Sequence, residues 1–169
     1  MSTKLLMDVE EYLHTSFDGS DCEYLDGEVV ERNMGEIPHG DVQLALGRAL
    51  STLRPTLGIR VIPEIRIQIH GRRFRVADLA VWRHDDIGTG IPTVPPFLAI
   101  EILSPDDRMS EMLERIHDYL SFGVPCVWLL DPRTHGAFVY TAGGMQEVKD
   151  GILRTADPEM AVPLAELFD

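Results

Sequence analysis

The sequence predicts a single α/β domain over residues 1–169, an α/β sandwich built around a mixed central sheet, and three observations predict it. In PEIRIQIH, Ile65, Ile67 and Ile69 alternate with Glu64, Arg66, Gln68 and His70, the period of a strand with one buried face. FLAIEIL (97–103) and PCVWLL (125–130) are short, almost wholly apolar runs, the composition of central strands covered on both faces. Between them Met109, Met112, Leu113, Ile116, Tyr119 and Leu120 recur at helical spacing, and a right-handed crossover through that helix makes the flanking strands parallel.

The other elements fall into place around these. Asp8 to Leu13 reads as a short helix, and CEYLDGEVVER (22–32) as strand, Asp26-Gly27 turn, strand. From Gly40 to Leu57, apolar residues from Val42 to Leu53 mark a longer helix, with Asp41 as its cap and Pro55 as its stop. Gly71 turns the alternating strand back into a second one, Phe74 to Trp82. After Leu103, Ser104 suits a helix cap, Pro105 the first turn and Asp107 the capping box, with Gly123 ending the helix. Short strands with GG and DG turns follow over 136–154, then a helical turn at LAELF. The core order is helix, strand, strand, strand, helix, strand.

Composition narrows the function. Fifteen Lys and Arg against 28 Asp and Glu leave a net charge of −13, which opposes strong non-specific binding to a polyanion. The one dense basic stretch is HGRRFR, where Arg72, Arg73 and Arg75 either meet phosphate or form a solvated turn. No apolar run approaches the roughly 20 residues that span a bilayer, and MSTKLLMDVEEYL lacks the features of a leader, so a cytoplasmic location without membrane contact is expected. Cys22 and Cys126 form no CxxC and read as small core residues, as Trp82 and Trp128 read as large ones. His84, Asp85 and Asp86 read as a polar loop, and Ser104 has no His–Asp arrangement to make it a nucleophile.

Two carboxylates sit where they should be costly: Asp78 within VADLAVW and Glu101 within AIEIL. If their strands pair antiparallel, the two acids meet on one face, and a cation between them would let both stay ionised. Mg²⁺ suits such an oxygen-only pair. A hairpin register summing to 142 sets Glu64 directly opposite Asp78, and a register one residue off puts it on the other face. The competing reading gives each acid a buried arginine, Arg66 or Arg75, in a structural ion-pair network.

An Asp on the second strand and a Glu on the third, between two helices, resemble the PD-(D/E)xK nuclease superfamily. More narrowly, YLDGEVVER, His39, PEIRIQI, FRVADLAVW, FLAIEILSPDDR, ERIHDYLSFGVPCVWLLDP and VPLAELF, in that order, resemble the Uma family of putative restriction endonucleases. The resemblance implies a restriction-endonuclease-like fold and phosphodiester hydrolysis of nucleic acid, DNA above all, by metal-activated water. It further implies that Asp78, Glu101 and the Ile102 carbonyl hold Mg²⁺ or Mn²⁺, with Glu64 and Glu28 as further acids. His39 is an accessory candidate if the first long helix starts beside the site, and otherwise reads as a helix-terminus histidine. A homodimer is expected, because cutting both strands of a duplex takes two sites.

The chain also departs from that pattern. Ala77 precedes Asp78 where the motif has Pro, and Leu103 falls where the motif Lys would stand. In related sequences the Lys has moved to the following helix, and here that place holds Glu114-Arg115. Arg115 can neutralise a pentacoordinate phosphate but cannot act as a base. Its other reading is a surface pair with Glu111 one helical turn away. The sequence therefore supports an active nuclease, a catalytically inactive nuclease-fold binding or regulatory protein, or an enzyme on another phosphate-bearing substrate; the direction of Arg115 discriminates the first two.

Overall fold

The computed structural model describes residues 5–19 and 21–168. The first four residues of the stretch read for a leader lie outside the described residues. The chain forms β1 (Leu5–Leu6), α1 (Val9–His14), β2 (Cys22–Leu25), β3 (Glu28–Glu31), α2 (Ile37–Thr52), α3 (Arg54–Leu57), β4 (Ile59–His70), β5 (Arg73–Arg83) and β6 (Leu98–Ile102). It continues through α4 (Met109–Phe122), β7 (Val127–Asp131), β8 (Gly136–Thr141), β9 (Gly144–Glu147), β10 (Ile152–Ala156) and β11 (Glu159–Pro163). The expected core order is present as α2, β4, β5, β6, α4, β7, with β6 and β7 parallel.

Among the described residues, nine strands form the central sheet in the order β1-β3-β2-β5-β6-β7-β8-β9, with β4 on the opposite edge of β5. On one side α2 packs Val42, Leu46 and Leu50 against Leu79, Ile100 and Trp128. On the other, α4 lays Met112, Ile116 and Tyr119 over Ala80, Trp82, Ala99 and Val127. A third cluster of Tyr12, Cys22, Tyr24, Val29 and Phe74 anchors the N-terminal hairpin. Both cysteines are buried, and both tryptophans are fully buried. No helix among the described residues is long and apolar enough to cross a membrane.

The hairpin β2–β3 turns on Asp26 (φ 56°) and Gly27 (φ 115°), the left-handed pair that matches strand twist. A Cβ at Gly27 would also lie 3.0 Å from the Arg72 guanidinium. Gly27→Ala is expected to cost about 1–2 kcal/mol, read as a lower urea midpoint at unchanged m-value.

Two helix starts differ from expectation. Asp41 does not cap α2: the helix begins four residues earlier at Ile37, with Pro38 in its first turn and no side-chain cap at Glu36. Proline is preorganised for that first turn, and the earlier start brings His39 into the interior. Ser104 and Pro105 do not open α4, which begins at Met109. The Asp107 carboxylate accepts the Ser104 backbone N–H at 2.7 Å, while the Asp107 N–H returns to the Ser104 carbonyl. That reciprocal pair closes a separate turn, tied by Asn33 to the strand-β3 side of the fold.

The last two strands stand apart from the central sheet. β10 and β11 make their own two-stranded sheet and bury Leu153, Met160 and Val162 in the α2-side core. β11, at Glu159–Pro163, lies beyond the strands the sequence predicts over 136–154.

Candidate functional site

The site lies where the sheet forks. Strand β5 keeps β4 along the whole of one edge, but its other edge is shared. Strand β2 pairs there at Arg73 and Phe74, and β6 takes over from Leu79. Neither ladder covers residues 75–78, so backbone groups in the fork need other partners. Two carboxylates supply them. Glu23 Oε1 accepts the Val76 N–H at 3.0 Å, and Asp78 Oδ2 accepts the Ile102 N–H at 2.7 Å.

The β5–β6 register pairs Leu79 with Ile100, and one step further it sets Asp78 opposite Glu101 on the face covered by α4. The β4–β5 register pairs Pro63 with Leu79 and Ile65 with Ala77, which sets Glu64 opposite Asp78. Glu64 sits there with φ 47°, a left-handed conformation that costs a non-glycine residue on the order of 1–3 kcal/mol. Three carboxylates therefore converge from three adjacent strands.

Each is held by a cation or donor from elsewhere. Arg32, just beyond β3, spans two of them: Nη1 lies 2.7 Å from Glu64 Oε2, and Nη2 bonds Asp78 Oδ1. His39 Nε2 stands 3.3 Å from Asp78 Oδ2. Gln43 donates to Glu64 Oε1 at 2.6 Å and to the Asp78 carbonyl at 2.9 Å. Glu101 accepts Tyr119 Oη–H at 2.7 Å on Oε1 and Arg115 Nη1–H at 3.2 Å on Oε2. Behind Arg115, the buried Glu23 receives both that guanidinium and Arg75.

The electrostatics separate the two central acids. Burial pushes the Asp78 carboxyl up, but the His39 hydrogen bond, the Arg32 charge and the Ile102 N–H outweigh it and hold Asp78 below the usual range. Burial raises Glu101 to about 8, with Asp78 adding to the rise and Arg115 only partly opposing it. Burial works against a charged His39, yet its bond to Asp78 and the Asp78 charge lift its pKa above the ordinary value.

The sequence reading is corrected at several residues. Arg66 and Arg75 are not the partners of Asp78 and Glu101. Arg66 lies over the Tyr12 ring at 4.5 Å, and Arg75 serves Glu23 and Asp118. Arg115 does not turn outward to Glu111; it points inward to Glu101 and lines the cavity. The HGRRFR stretch is no solvated turn at its core either, because Arg73 and Arg75 are neutralised by Asp26, Glu114, Asp118 and Glu23. Glu28 lies on β3, four residues before Arg32, and like Glu101 it is not among the residues lining the cavity. Arg32, Gln43, Tyr119 and Glu23 were missed. Tyr119 was read only as part of an apolar helix face, and nothing local marks the others.

A cavity of about 320 Å³ opens over the fork, lined by Arg32, His39, Glu64, Asp78, Ile102 and Arg115 among others. A larger groove of about 1120 Å³ runs between α2 and the C-terminal turn. Its lining holds Asp41, Glu64, Glu166 and Arg48 but neither Asp78 nor Ile102. The smaller cavity is the better candidate. Among the described residues, no three His, Cys, Asp or Glu side chains are gathered into a cluster able to hold an ion. The donor chemistry nevertheless suits a hard cation, and a positive group, the Arg32 guanidinium, already stands between Asp78 and Glu64.

Comparison with known proteins follows the same line. The sequence profile of the Uma2 family, described as "Putative restriction endonuclease", matches residues 9–167. Among solved structures, a putative nuclease belonging to DUF820 from Anabaena variabilis ATCC 29413 shares the fold, with TM-score 0.85 and 23% identity over 96% of this chain and 97% of that one. The DrdV–DNA complex gives TM-score 0.42 and 15% identity over 73% of this chain and 10% of that one, a level at which nothing is argued from it. No curated protein matches the chain.

Proposed function

Because the chain belongs to the Uma2 family of putative restriction endonucleases, we propose that it is a nuclease hydrolysing phosphodiester bonds of nucleic acid, with Asp78 and Glu101 holding Mg²⁺ or Mn²⁺. The observation that carries this reading is the facing of Asp78 and Glu101 across the sheet fork, beside a third carboxylate, Glu64. The Ile102 carbonyl and Glu64 would complete an all-oxygen donor set by closing around a bound ion, since among the described residues no three such side chains are already clustered. A bound divalent ion supplies charge neutralisation on the phosphate and a water of lowered pKa.

This chain's own groups do the rest. Asp78, kept ionised by His39 and the Ile102 N–H, is the strong anionic ligand. Glu101, held neutral-leaning by burial, gives up its proton when positive charge arrives beside it. Arg115, turned toward Glu101 rather than solvent, stands as a fixed positive charge on the cavity wall. It stabilises charge on the phosphate and takes no proton, since its pKa lies far above neutrality. His39, at the cavity wall and polarised by Asp78, is a group that can exchange a proton there.

Calorimetric titration of Mn²⁺ tests the reading. Wild type is expected to give saturable binding that disappears in Glu101→Ala and in Asp78→Asn; no binding to the folded wild type, with or without a short DNA duplex present, would sink it. The loss of the motif Lys, with Leu103 packed into the α4-side core, keeps one second reading: a metal-free nuclease fold that binds nucleic acid without cutting it. A homodimer belongs to the first reading, and sedimentation at rising concentration is expected to show a species of twice 19.0 kDa.

A further inference from the structure

We propose that Arg32 is the resident counter-cation of the site: its guanidinium, bridging Asp78 and Glu64, holds the carboxylates until a divalent ion displaces it. The inference rests on the reading of Asp78 and Glu101 as metal ligands. Arg32 donates to Glu64 Oε2 at 2.7 Å and to Asp78 Oδ1, so one planar fork spans acids on two strands. Its side chain is 12% exposed and Asp78's is 2%, which makes the pair a built contact rather than a surface one.

The geometry leaves a metal little room while Arg32 stays. Asp78 Oδ2 is already engaged by the Ile102 N–H and His39, so Oδ1, the oxygen Arg32 holds, is the one a metal must take. A divalent ion there would meet the Arg32 guanidinium, of the same sign, on the same carboxylate oxygen, so the two compete for Oδ1. Arg32 also has somewhere to go. It follows the end of β3, precedes a stretch without helix or strand up to Glu36, and lines the open cavity. Metal affinity is thus set by an exchange, lowered by the fraction of molecules in which the guanidinium still holds the acids.

Removing the guanidinium should reveal the underlying site. Mn²⁺ titrated into Arg32→Met is expected to bind at least about tenfold tighter than into wild type, the gain when a competent state rises from about 10% of the population to nearly all. Arg32→Lys, which keeps the charge, should stay near wild type. If wild type binds Mn²⁺ and folded Arg32→Met binds no tighter, the exchange is wrong and the metal reading survives. If neither binds, the metal reading falls and takes the exchange with it. Should Arg32→Met not fold, the wild-type protein still decides. Saturating Mg²⁺ is expected to shift the NMR resonance of the Arg32 Nε–H; a resonance that does not move overturns the proposal.

Discussion

Glu23→Ala is expected to destabilise the fold by about 3–5 kcal/mol, the scale for removing one partner of a buried ion pair. The carboxylate is 1% exposed and satisfies three groups at once: the Arg75 guanidinium at 2.7 Å, Arg115 at 3.1 Å and the Val76 N–H at 3.0 Å. Without it, Arg115 keeps only Glu101, and a backbone donor in the sheet fork is orphaned. Urea unfolding at pH 7 reads the loss. The pH dependence provides a second check. Burial raises the Glu23 carboxyl, but Arg115, Arg75 and the Val76 N–H more than reverse this and hold it below its usual 4.5. The folded state thus releases that proton more readily than the unfolded chain does. The stabilisation is complete above about 4.5 and is lost as pH falls through the depressed folded value. Glu23→Gln should flatten that part of the acid limb. An unchanged limb would mean that Glu23 is not the group holding the fork together.

Asp78→Asn is expected to slow Mn²⁺-dependent cleavage of a duplex at least about 100-fold, since even outer partners of metal ligands cost 10–100-fold. Gel assay of nicked and linear product reads it. The substitution keeps the side chain's shape and an oxygen for the Ile102 N–H but turns an NH2 toward the Arg32 guanidinium, so urea unfolding of the variant is needed to separate lost charge from lost stability. Arg115→Lys is the informative companion. It retains the charge facing Glu101 but loses the fork that reaches both Glu101 and Glu23. Wild type without any cleavage, while still binding duplex, would instead establish the non-cutting reading. The acid excess makes salt important in both assays, because Arg73 and Arg75 are spent on internal carboxylates and few cations are left for phosphate.

Local pattern carried much of the fold. Period-two alternation marked β4, apolar runs marked β6 and β7, and helical spacing marked the body of α2 and of α4; each signal is short-range, arising from which face a residue turns to the core. The Asp26-Gly27 turn was equally legible, since left-handed backbone needs those residue types. Helix starts were less so. Ser104 and Asp107 have capping chemistry, but their bonds close a turn instead, with Asn33 holding Asp107 from seventy-four positions away.

The site divides along the same line. Asp78 and Glu101 could be picked from sequence because a carboxylate inside an apolar strand is costly and so must have a partner. Glu64 opposite Asp78 followed from a countable hairpin register. What those acids would pair with could not be read, since the partners come from separate elements. Arg32 lies 46 residues from Asp78, and Arg115 lies 92 from Glu23. Nothing in either segment's periodicity depends on those contacts. The sequence by itself determined the strands, the helices between them and the acids buried in them, because burial and period are properties of neighbouring residues. Only the tertiary structure decided that the sheet forks at residues 75–78, that Arg115 turns inward, and that Arg32 rather than Arg66 or Arg75 meets Asp78. Those choices depend on long-range closure, where desolvated charges must find each other across the fold.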